Sequence, residues 1–68
     1  MIILLTDYLH GHGFYSVYSR EKQILGHICW CPEAAKFAFY TAGGIVFDAG
    51  TLRRLAEFLV SENTLREL

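Results

Sequence analysis

From Asp48 onward the chain has one stretch of helical periodicity, and most of what precedes it alternates in twos between turn signals. That division constrains the fold more than any other feature. Asp48 is a strong N-cap residue, since its carboxylate can accept backbone N–H groups of the first helical turn. With Asp48 at the cap, Phe47 and Leu52 have the spacing of a hydrophobic staple. Leu52, Leu55, Ala56 and Leu59 recur at helical spacing and Phe58 widens the stripe. Arg53, Arg54, Glu57 and Ser61 fall on the other side. The spacing predicts one amphipathic helix that ends near Asn63, with Leu65 to Leu68 as a frayed tail.

Upstream, Phe14 to Ser19 reads as a strand rich in aromatic and β-branched residues. Arg20-Glu21-Lys22 is a polar turn, and Gln23 to Cys31 is the returning strand of a hairpin. Pro32 ends it because proline cannot donate to a ladder. After the Glu33-Ala34-Ala35 turn, Lys36 to Thr41 is a third strand, closed by Gly43-Gly44. Ile45-Val46-Phe47 is either a short fourth strand or an extended approach to the helix. Ile2 to Leu5 favours a strand, and His10-Gly11-His12-Gly13 a turn. The expected fold is α+β: a single domain over residues 1–68, with an antiparallel sheet of three or four strands and one C-terminal helix on one face.

Alternation sorts the strand residues onto two faces. Tyr15, Val17, Ile24, Gly26, Ile28, Trp30, Phe37 and Phe39 share the first, and Ile24, Ile28, Trp30, Phe37 and Phe39 are expected under the helix. Ser16, Tyr18, Leu25, His27, Cys29, Cys31, Lys36, Ala38 and Tyr40 share the second. The mixed surface of Tyr18, His27, Cys29, Ala38 and Tyr40 is too apolar for an ordinary solvent-facing sheet and suits a protein or ligand contact.

Composition sharpens this. A chain of 68 residues has a core that rarely supplies more than roughly 3–5 kcal/mol. Yet 53% of its residues are hydrophobic, more than one small core hides, which points to a homo-oligomer or a bound partner. Six basic against seven acidic side chains give a net charge of −1, without the basic face that DNA binding needs. Asp7 interrupts the apolar start, and no run approaches the roughly 20 residues of a membrane span. The expectation is a cytoplasmic chain with reduced thiols at Cys29 and Cys31, without a membrane or DNA partner.

The stretches Gly26-His27-Ile28-Cys29-Trp30, Phe37-Ala38-Phe39-Tyr40, Val46-Phe47-Asp48 and Leu52-Arg53-Arg54-Leu55-Ala56-Glu57-Phe58-Leu59 resemble short accessory proteins of phage and prophage genomes. The likeness covers roughly residues 14–62 and departs at Cys31-Pro32-Glu33-Ala34-Ala35. It implies a viral protein that acts on host machinery, including host immunity, inside the host cytoplasm.

His10, His12, His27, Cys29 and Cys31 are possible zinc ligands. On a regular strand, however, His27 and Cys31 stand about 13–14 Å apart and cannot share one ion. Asp7, His10, His12 and Ser16 are the residue types of a nucleophile and base, but nothing in their spacing preorganises them. The expectation is a non-enzymatic protein with no metal and no cofactor. The candidate ligand- or partner-binding residues are Tyr18, Arg20, His27, Tyr40, Arg53 and Arg54: aromatic rings to stack on bases and guanidinium groups to hold phosphates. They suit a small nucleotide immune signal sequestered where subunits meet. The other expectations are a protein–protein inhibitor of a host defence protein, of the anti-CRISPR kind, and a phage structural or assembly accessory.

Overall fold

In the computed structural model, which describes residues 1–67, the chain forms β1 (Ile2–Leu9), β2 (His12–Tyr18), β3 (Ile24–Cys31), β4 (Lys36–Thr41) and α1 (Ala49–Glu67). The strands make one antiparallel sheet in the order β1-β2-β3-β4, with α1 packed against it. The fold is α+β. Ile45 to Phe47 forms no strand and is the extended approach to the helix; the fourth strand is β1.

The strands are joined by tight turns. Leu9 pairs with His12, so β1 and β2 are joined by His10-Gly11 alone. Both turn residues have positive φ, 52° and 81°, as a two-residue hairpin of type I′ requires, and Gly11 takes the second position without strain. The turn is therefore shorter than the four-residue break expected at His10–Gly13, and His12 and Gly13 belong to β2. Between β2 and β3, the Ser19 N–H donates to the Gln23 carbonyl at 2.9 Å and the Lys22 N–H to the Ser19 carbonyl at 3.0 Å.

The core is Val17, Leu25, Ile28, Phe37 and Leu55, ringed by Tyr15, Trp30, Phe39, Phe47, Phe58 and Leu59 among others. Rings meet edge-on here: Tyr15 on Phe58 at 5.1 Å, Trp30 on Phe37 at 5.6 Å and Phe39 on Phe47 at 5.7 Å. One expectation is overturned. Ile24 is 38% exposed on the opposite face, and Leu25 takes its place in the core. The cause is a bulge: Val17 pairs with Gly26 and Tyr18 with Ile24, so Leu25 is an extra residue and the alternation reverses there. Gly26 follows the bulge because β4 presses on it; a Cβ would collide with the Tyr40 carbonyl oxygen and lie 2.7 Å from the Phe39 ring.

The helix begins as its sequence predicts. The Thr51 N–H donates to Asp48 Oδ1 at 2.8 Å. Two other expectations are corrected. Leu52 and Ala56 are exposed, whereas Thr51, Leu55, Phe58, Leu59, Glu62 and Asn63 form the inner face. The helix is rolled toward Phe58 and Asn63, because Asn63 is fastened to the sheet: its Oδ1 accepts the Phe37 N–H at 2.7 Å and its Nδ2 donates to the Phe37 carbonyl at 3.3 Å. Asn63 therefore does not end the helix, which runs to Glu67; of the expected frayed tail, Leu68 lies outside the described residues.

Candidate functional site

The fold separates the candidate residues into two places. Arg20 stands in the β2–β3 turn and Arg54 one turn into α1, and both line a cleft of about 580 Å³. Its other walls include Ser19, Glu21 and Gln23 of the same turn, the Gly44 to Asp48 approach, and Gly50 and Thr51 at the helix start. Two arginines thus line a cleft that also takes in a helix N-terminus, where backbone N–H groups and the helix dipole favour anions. Glu21 and Asp48 balance the two arginines. Asp48 is engaged in its cap, and the hydrogen bonds from the Thr51 backbone, then from its hydroxyl, hold its carboxyl below the ordinary range. Arg53 lies outside the cleft on the exposed side of the helix.

Tyr18, His27 and Tyr40 are on the open face of the sheet, which α1 does not cover. In-register pairing lays Ile2, Tyr18 and Ile24 in one row and Leu4, Ser16, His27 and Tyr40 in the next; the Asp7–Phe14 and Cys29–Ala38 pairs follow, one two-residue step further along β2, β3 and β4. Ser16, only 5% exposed, is the middle of a polar chain. Its hydroxyl lies 3.2 Å from Thr6 Oγ1 and 3.4 Å from His27 Nδ1, and the Thr6 hydroxyl also donates to the Phe14 carbonyl at 3.1 Å. Phe14 leans on the His27 ring at 5.0 Å. At the far end, the Cys31 thiol donates to Glu33 Oε2 at 3.3 Å. The Tyr40 phenol is pushed up to about 12, first by its hydrogen bond with Cys31, then by burial and by the neighbouring Cys31, Cys29 and Glu33 charges. Burial, then the nearby Cys31, pushes the Cys29 thiol up.

The other residues considered from sequence are dispersed. Asp7 accepts the Tyr8 N–H at 2.8 Å, His10 is in the hairpin turn, and His12 stacks flat on Trp30 at 4.5 Å. Ser16 meets His27 rather than His10 or His12. Among the described residues, no group of three or more His, Cys, Asp or Glu is placed to hold a metal ion, and Cys29 and Cys31 are free. No helix among them is long and apolar enough to cross a membrane.

Sequence reasoning missed Ser19, Glu21, Gln23 and Thr51 as cleft residues. No local pattern marks them, because the cleft exists only where the β2–β3 turn meets the helix start. Thr6 and Ile2 on the open face were legible in principle, once β1 is paired with β2.

The architecture defines the class as a small α+β domain, a four-stranded β-meander with a helix on one side. No protein-family model, curated protein or solved structure matches the chain.

Proposed function

We propose that this chain is a non-catalytic binding protein that captures a small, phosphate-bearing, nucleotide-sized ligand in the cleft between the β2–β3 turn and the helix start. The observation that carries this reading is the meeting of Arg20 and Arg54, from separate elements, in a cleft of about 580 Å³. That volume falls in the range of small-molecule sites, about 300–1,000 Å³. The balanced charge favours a mixed ligand over a polyanion. Phosphate oxygens pair with the guanidinium groups, while ribose hydroxyls or base N–H groups donate to Glu21 or Asp48. Under the resemblance to phage accessory proteins, the ligand is a host nucleotide immune signal, withheld from its receptor by sequestration. Tyr18 and Tyr40 lie on the other face, so within one chain they take no part in this cleft.

The test is native mass spectrometry of the protein with a panel of cyclic and NAD-derived nucleotides. One nucleotide retained per cleft is expected, with affinity lowered at least tenfold in Arg20→Ala and in Arg54→Ala and unchanged in Arg53→Ala. No retention of any nucleotide, or an equal loss in Arg53→Ala, overturns the reading. The open sheet face favours a second reading, inhibition by docking on a host defence protein, which predicts a stable protein complex and no nucleotide affinity.

A further inference from the structure

A sheet with one face in water alternates apolar residues inward and polar residues outward. Here the outward set is Ile2, Leu4, Phe14, Tyr18, Ile24 and Tyr40, with Cys29 and Ala38 among them. Leu4 is 50% exposed and Tyr40 46%. An apolar face of this kind marks a contact surface.

The face is also prepared for covering. Its central polar atoms are partnered among themselves, along Thr6, Ser16 and His27. No buried side-chain N or O atom among the described residues lacks a hydrogen bond. Apolar surface laid over Thr6 and Ser16 would therefore orphan neither hydroxyl, which lowers the cost of burying polar groups at the centre of the face.

Size and charge select the occupant. A stable interface takes roughly 800 Å² from each partner, about a sixth of this chain's 4815 Å². One broad side of a body measuring 33 × 22 × 19 Å supplies that share. Within the four strands, Asp7 and Lys36 are the charged residues. Asp7 shares the open face with its partner Phe14, and Lys36 with its partner Cys31. They stand on opposite edges of the sheet, β1 and β4. A two-fold axis lying along the strands places β1 of one copy over β4 of the other. Each Asp7 then comes near a Lys36 of the other copy, one two-residue step away, about 7 Å along the strand and within reach of a lysine side chain. The surface is complementary to itself in this orientation.

We propose that a second copy of this chain docks on the open sheet face, with the two sheets stacked about 10 Å apart and related by that two-fold axis. None of the face residues lines the cleft, so the dimer and ligand capture stand or fall separately.

The test is size-exclusion chromatography with light scattering on the full chain. The wild type is expected at twice its 7.8 kDa mass. Leu4→Lys is expected to run as a monomer with an unchanged circular-dichroism spectrum. Val60→Lys, at a still more exposed apolar position on α1, remains a dimer. Asp7→Lys sets lysine against lysine twice per dimer and raises the dissociation constant about tenfold, and adding Lys36→Asp restores it. If Leu4→Lys fails to fold, the charge exchange decides. A wild type that stays monomeric at high concentration overturns the proposal. So does dissociation by Val60→Lys, or a charge exchange that does not restore the dimer.

Discussion

Asn63 holds the helix to the sheet, and its removal has a calculable effect. β4 is an edge strand, and Phe37 turns its N–H and carbonyl away from β3 toward α1. The Asn63 amide supplies both partners, acting as one more residue of the ladder. Each such bond contributes about 0.5–1.5 kcal/mol net, so Asn63→Ala should cost about 1–3 kcal/mol. The 2.7 Å bond from the Phe37 N–H carries more of this than the 3.3 Å bond to its carbonyl. A chain of 68 residues has a total stability of about 3–10 kcal/mol. At about 4–8 °C per kcal/mol, the melting temperature should fall by roughly 5–20 °C. Asn63→Asp separates the two bonds. A carboxylate still accepts the N–H but faces the carbonyl oxygen with a like charge. Its folded pKa is therefore raised, and its deficit against the wild type should shrink as pH falls through that value, when the protonated acid donates again. Urea melts at several pH values give the energies, and amide exchange at Phe37 gives the site. A loss under about 0.5 kcal/mol in Asn63→Ala, the level of an ordinary surface change, would refute the argument. So would a pH-independent deficit in Asn63→Asp, or an unaltered Phe37 exchange rate.

Gly26→Ala drives a methyl group into the Tyr40 carbonyl and the Phe39 ring; denaturant unfolding should show a loss of at least ~2 kcal/mol, and a near-neutral result would mean that β4 yields freely. Asp48→Asn keeps an acceptor for the helix cap but removes its titration. The Asp48 carboxyl lies low in the folded chain, so its contribution is present above the ordinary carboxylate value and lost as pH falls through the depressed one. Melting temperature against pH should therefore be flatter on the acid side in Asp48→Asn. Tyr40 has the opposite sign: its phenol is raised to about 12, so its contribution is complete below the ordinary value and lost as pH rises through the raised one. The ultraviolet titration step absent from Tyr40→Phe should lie near 12 and move down in Cys31→Ala, and a wild-type step at the ordinary tyrosine value would contradict this.

What the sequence reveals here follows the range of the forces involved. Asp48 announced the helix start because capping is local. Tyr15, Val17, Ile28, Trp30, Phe37 and Phe39 announced the core face because alternation is local too. Leu25 broke the pattern because a bulge depends on how β2 and β3 are paired and on the pressure of β4 at Gly26, neither visible within β3. Asn63 misled because asparagine commonly ends helices, and nothing nearby says that its amide is committed to a strand 26 positions earlier. His12 and Gly13 looked like turn residues, yet the two-residue turn needs only His10 and Gly11. At the candidate site, the residue types were legible and their grouping was not. Arg20 and Arg54 share a cleft, while Tyr18, His27 and Tyr40 share the open face, by tertiary packing alone.

The order of the strands in the sheet is their order along the chain, and this bears on how the molecule assembles. Each strand finds its partner across a turn of a few residues, so the sheet can zip hairpin by hairpin with little loop-closure entropy to overcome. The helix is different, since its anchor at Asn63 must return to Phe37. The expected order is therefore sheet formation first and helix docking last. Substitutions at Asn63 should then speed unfolding far more than they slow folding, and the transient species on the way is a bare sheet with both faces exposed. For so apolar a chain, that interval between zipping and docking is when aggregation competes with folding.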